Sequence, residues 1–98
     1  MSRARTPLPD AVVADALARA PGWSRGEDGA LQRARRFPTP AAAFGFVSGV
    51  ALLAERHDHH PELRWVFRDV ELRLVTHDAG DAVTMRDVEL MLAIAELP

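Results

Sequence analysis

The chain has no cysteine and no lysine, and each absence closes off a chemistry. Without cysteine there is no disulfide framework, no thiolate zinc site and no cysteine nucleophile. All 12 basic residues are arginine, which rules out a Schiff-base lysine. Long apolar runs are also lacking, since none approaches the roughly 20 residues a membrane-spanning helix needs. Met1-Ser2-Arg3-Ala4-Arg5 is basic, but no long apolar stretch follows it. It does not read as a signal peptide, and a cytoplasmic location is expected. An excess of one charge is missing too: the formal net charge of −2 argues against a general polyanion binder, so no direct nucleic-acid partner is expected. Nucleophile elbow, phosphate loop and dinucleotide fingerprint are all absent, and Gly26-x-x-Gly29 lacks the strand–glycine–helix setting such a motif requires.

What remains is a 98-residue chain, 48% hydrophobic, with the length of one domain over residues 1–98. Residues 1–6 are expected to be flexible. A core this small leaves much surface exposed, so burial against a second subunit is a natural supplement. Pro7-Leu8-Pro9-Asp10 opens a helix whose face is Val13, Leu17 and Ala20, and Pro21-Gly22 stops it. Trp23–Arg25 and residues 30–37 read as strands around a Gly26–Gly29 turn, although Arg33, Arg35 and Arg36 interrupt the apolar positions of the second. Thr39 caps a helix beginning at Pro40 and running to about Arg56. Its broad stripe of Phe44, Val47, Ala51 and Ala54, widened by Phe46, Val50 and Leu53, predicts the central packing element. Trp65-Val66-Phe67 predicts a strand and Arg68-Asp69 a turn. Residues 70–77 then alternate apolar and polar, with His77 on the polar parity. Thr84-x-x-Asp87 resembles a capping box before a last helix. The predicted order α-β-β-α-β-β-α suggests an α+β, two-layer fold: a four-stranded antiparallel sheet with helices on one face.

All four histidines fall between residues 57 and 77, three of them in His57-Asp58-His59-His60-Pro61. Imidazole titrates near neutrality, so such a cluster suggests proton transfer or metal binding. Pro61 biases His60 toward extended backbone, which sends His59 and His60 to different sides and weakens a shared metal. Only one further histidine exists to complete a ligand set. General acid–base work suits the set better, with Glu55, Asp58 or Asp87 available to orient the rings. A helix C-terminus alone accounts for His57, but not for His77.

Glu55-Arg56-His57-Asp58-His59-His60-Pro61-Glu62, Val66-Phe67, Thr76-His77-Asp78-Ala79-Gly80 and Thr84-x-x-Asp87 together resemble the pterin-4a-carbinolamine dehydratase family. Pro21-Gly22-Trp23, Arg33, Phe37 and the Ala43–Val47 stretch extend the resemblance over nearly the whole chain. It implies dehydration of a 4a-hydroxytetrahydropterin to quinonoid dihydropterin, with no metal and no organic cofactor. His59, His60 and His77 match the family's catalytic histidines and Asp87 an active-site carboxylate. Trp23, Glu55 and Pro61 match pocket positions, and the Thr76 backbone would meet the pterin edge. Each match has a plainer rival: Asp87 as a helix cap, Glu55 as a solvated helix-end charge, Trp23 as core. Departures are Arg56 for lysine, Leu63 for an aromatic, Phe67 for tyrosine, and a His77–Asp87 loop one residue longer than usual. The resemblance also implies a homodimer or homotetramer. It leaves a rival function, a non-catalytic interaction or assembly module, because some family members act as partners of other proteins.

Overall fold

Along the chain run α1 (Asp10–Ala18), β1 (Ser24–Arg25), β2 (Leu31–Arg36), α2 (Pro40–His57), β3 (Glu62–Val66), β4 (Asp69–Leu74) and α3 (Met85–Ala95), with a 3₁₀ turn at His77–Ala79. The computed structural model describes residues 5–98; of the start expected to be flexible, residues 1–4 lie outside the described residues. All strand pairings are antiparallel, in the order β1-β2-β4-β3. The α+β class and the element order are those the sequence predicts.

Period-two alternation decides the two faces of the sheet. Val70, Leu72 and Leu74 of β4 are buried toward the helices. The register sets Leu31, Arg33 and Arg35 of β2 opposite Leu74, Leu72 and Val70, so both arginines share the helix-facing side. Arg35, which broke the predicted pattern, has a physical reason there. Its guanidinium lies 4.5 Å from the Phe37 ring centroid and 4.9 Å from that of Phe46, covering a pair of rings 5.1 Å apart. The cation sits against aromatic faces while its stem packs as an apolar side chain. The opposite face is a lattice of ion pairs: Arg36–Asp69 at 2.9 Å, Arg64–Glu71 at 3.2 Å, and Arg73 with Asp28 at 2.7 Å and with Glu62.

Thr39 caps α2 as expected, its hydroxyl accepting the Ala42 N–H at 3.1 Å. The buried stripe is Ala43, Phe46, Val50 and Ala54, spaced at helical three- and four-residue steps. Phe44 and Ala51, expected on that stripe, are exposed instead. They sit one position away from the line that faces β4, and Phe44 stacks on Trp65 of the sheet-edge strand β3 at 5.3 Å. Helix α3 packs against both α1 and α2, burying Val88, Leu90, Met91 and Ile94.

Both ends of β3 and of β4 differ from the prediction, with β3 beginning at Glu62 instead of Trp65. Phe67 leaves β3 and occupies the turn with φ 55°, while Asp69 already belongs to β4. The Trp65 indole N–H donates to the Phe67 carbonyl at 2.9 Å, and the Phe37 N–H to that of Arg68 at 2.9 Å, which hold this turn in place. The β4 ladder stops at Leu74, so His77 opens the 3₁₀ turn rather than ending a strand.

Asp69 is held below its ordinary value of 3.8 by the Arg36 hydrogen bond, and Asp28 by the Ala30 N–H first and then Arg73. Carboxylates lowered in the fold take up protons more readily when the chain unfolds. Their stabilisation is therefore complete above the ordinary carboxylate range and is lost as pH falls through the folded values. Urea titration should show an Asp28→Asn/Asp69→Asn variant less stable than wild type near neutrality, with the gap closing below about pH 4. A gap of constant size across that range would contradict the assignment.

Candidate active site

The site begins where α2 ends. Asp58 takes a left-handed conformation (φ 49°, ψ 44°) just past the helix. That turn lets the His59 N–H reach back to the Ala54 carbonyl at 3.1 Å, closing the last helical turn. Aspartate tolerates this backbone better than most residues other than glycine and asparagine. The Asp58 carbonyl accepts from Arg86 Nη2 at 2.6 Å, pinning the turn to α3. Beyond it His59 points inward with 8% of its side chain exposed, and His60 outward with 59%. Proline biases the residue before it toward extended backbone, and the two side chains diverge as the sequence predicts.

Asp87 is fully buried and is where three segments meet. Its Oδ1 lies 2.6 Å from His59 Nε2. Its Oδ2 accepts the Thr84 N–H at 2.9 Å and the Thr76 hydroxyl at 2.7 Å. Thr76 and Thr84 hydroxyls are 2.6 Å apart, and Thr84 Oγ1 accepts the Arg86 N–H at 3.2 Å. One proton assignment satisfies every group: Thr84 donates to Thr76, Thr76 donates to Asp87, and the His59 Nε2–H donates to Asp87. The carboxylate also sits at the start of α3, where the helix dipole favours negative charge. One oxygen of Asp87 thus completes the α3 cap, and the other holds the His59 ring.

The other two matched histidines are surface groups, each with a carboxylate. His60 Nε2 is 2.6 Å from Glu55 Oε2, one helical turn back. His77 Nδ1 is 2.7 Å from Asp81 Oδ1. Thr76, buried and bonded to Asp87, places His77 next in the chain, so the Asp87 network joins the His59 segment to the His77 segment. Pro61 links His60 to β3. Trp23 is buried in the core cluster, and its indole N–H has no acceptor among the described residues. His57 is the last residue of α2 and joins none of these pairs. Among the described residues, no three His, Asp or Glu side chains converge as a metal-ligand set.

Arg86 and Asp81 do not stand out in the sequence. Arg86 carries no motif signal, whereas Asp81 stands four residues after His77, a spacing visible only once a turn is assumed. A cavity of about 500 Å³ opens on the strands, lined by residues including Gln32, Arg33, Glu62, Leu63 and Arg73. None of the histidines lines it, and Arg73 and Glu62 there already pair with each other. It is separate from the Asp87 site.

Removing Asp87 leaves three donors buried without an acceptor, so Asp87→Ala should lose roughly 3 kcal/mol or more in denaturant titration. Asp87→Asn should lose far less. Its amide oxygen can serve Thr76 and Thr84 while its NH₂ faces His59, reversing the His59 tautomer. Long-range ¹⁵N NMR of the imidazole reads that reversal, and an unmoved tautomer would contradict the proton assignment.

The sequence model of the family described as "Pterin 4 alpha carbinolamine dehydratase" matches residues 6–97. A Rhodopseudomonas palustris protein named "Putative pterin-4-alpha-carbinolamine dehydratase" is 51% identical over 80 residues, 81% of this chain and 78% of that one. A Rhizorhabdus wittichii protein of the same name is 47% identical over 93 residues, 93% of this chain and 94% of its own. Among solved structures, the "transcriptional coactivator/pterin dehydratase from Brucella Melitensis" superposes with a TM-score of 0.82 at 34% identity, covering 92% of this chain and 99% of that one. With the matched region running from the first helix through the last and including every histidine, this chain belongs to the pterin 4 alpha carbinolamine dehydratase family.

Proposed function

We propose that this chain is a hydro-lyase that dehydrates 4a-hydroxytetrahydropterin to quinonoid dihydropterin, returning an oxidised pterin for reuse as a cofactor. The observation that carries this reading is the buried Asp87 carboxylate, which ties His59 to Thr76 and so sets two histidine segments side by side. In the reaction the C4a–O bond breaks, the hydroxyl leaves with a proton as water, and a ring nitrogen gives up its proton. The chemistry asks for one group that donates a proton and another that accepts one, and needs no redox step. His59, His60 and His77 fill those roles, with Asp87 orienting His59 and Glu55 orienting His60. The Thr76 backbone, Pro61 and Trp23 form the proposed binding surroundings of the pterin.

Residues 1–98 act in this reading as one domain, and as a homodimer or homotetramer. Leu63, Trp65 and Val66 of the edge strand, with Phe67 and Phe44, leave an exposed apolar border suited to a second copy. The same border favours the rival function, a non-catalytic interaction module. No described helix is long and apolar enough to cross a membrane.

Dehydration of a carbinolamine substrate generated in the assay distinguishes the two. The expected result is turnover that falls by about 10²-fold or more in His59→Ala and His77→Ala, the range for loss of an acid or base. Wild-type turnover no faster than in these variants would favour the interaction module. Exhaustive chelation should leave the wild-type rate unchanged, and its loss would point to a metal.

A further inference from the structure

We propose that Asp81 is a positioning residue for His77, fixing which ring nitrogen that histidine presents to substrate. This rests on the reading of His77 as a reacting group. The His77 side chain is 94% exposed, so packing does not orient its ring. What does is the hydrogen bond of its Nδ1 to Asp81 Oδ1, at 2.7 Å. A carboxylate only accepts, so Nδ1 carries the hydrogen and Nε2 keeps its lone pair. His59 and His60 are held the other way round: both meet their carboxylates through Nε2, leaving Nδ1 free. His77 is thus the histidine of the set that offers Nε2.

The loop is shaped to make this contact. Asp81 adopts φ 61°, a left-handed backbone that side chains rarely take, directly after Gly80 at φ 70°. Three backbone hydrogen bonds hold it: Asp81 N–H to Thr76 O at 3.1 Å, Gly80 N–H to His77 O at 3.1 Å, and Thr76 N–H to Ala82 O at 2.9 Å. Local strain of this kind persists where the surroundings over-determine it. Asp78, the chain neighbour of His77, faces Arg5 at 3.7 Å instead. Asp81 is therefore the carboxylate engaged with the ring. When Nε2 accepts a proton from a substrate N–H, the new imidazolium keeps its Nδ1–H on the Asp81 carboxylate. The carboxylate shares the charge without taking the proton, which His77 then releases to water.

Long-range ¹H–¹⁵N NMR of His77, with dehydration kinetics, in wild type, Asp81→Asn and Asp81→Ala tests the assignment. The expected wild-type tautomer is Nδ1–H. Asp81→Asn keeps an acceptor and should retain that tautomer with an intermediate loss of rate. Asp81→Ala should lose the tautomer bias and lower kcat about tenfold with little change in KM, while the His59 and His60 signals stay put. A wild-type Nε2–H tautomer, or an Asp81→Ala protein with tautomer and kcat both unchanged, overturns the proposal. Absent wild-type turnover with the Nδ1–H tautomer in place would instead overturn the dehydratase reading and leave the Asp81–His77 bond standing.

Discussion

A single buried carboxylate holds the candidate site of this molecule together. Asp87 sits where the α2 exit loop, the end of β4 and the start of α3 converge, and each of these supplies it a donor. A buried charge is costly unless its lone pairs are met, so the three segments are tied by a penalty as much as by an attraction. Any rearrangement that parts His59 from Thr76 strands a polar group away from water. The histidine segments, seventeen residues apart at their nearest matched members, are in this way joined through one buried side chain.

The same carboxylate shows why the distinction between structural and functional residues is blurred in a small domain. Its Oδ2 completes a helix cap that any α3 would welcome, and its Oδ1 holds the His59 ring of the candidate site. A chain with so little interior cannot reserve separate residues for stability and for chemistry. Arg35 makes the same point in the core, where a cation on the helix-facing side of the sheet closes over Phe37 and Phe46.

Much of the fold was legible because its signals are local. The Thr39-Pro40 start of α2, the alternation through β4 and the Thr84-x-x-Asp87 box each state their conformation within a few residues. The boundaries that shifted depend on partners distant in the chain. Phe67 leaves its strand because the Phe37 N–H and the Trp65 indole fix the turn around it, and Phe44 faces outward because Trp65 lies at the sheet edge. In the site, the His59–His60 divergence followed from Pro61, and the capping role of Asp87 from its spacing. The pairing of His59 with Asp87 spans 28 residues, and Asp81 reaches His77 only through a left-handed turn, so neither contact has a local signature.

The bridge between Thr76 and Ala82 closes the His77 loop at its base, between the Thr76 bond to Asp87 and the Thr84 cap. Both stems are fastened independently of what lies between them. Residues 77–81 can therefore gain or lose length without shifting the buried carboxylate, since loop closure costs grow slowly with added residues. The loop is in this light a place where the His77 ring can change its orientation while the Asp87 scaffold stays in place.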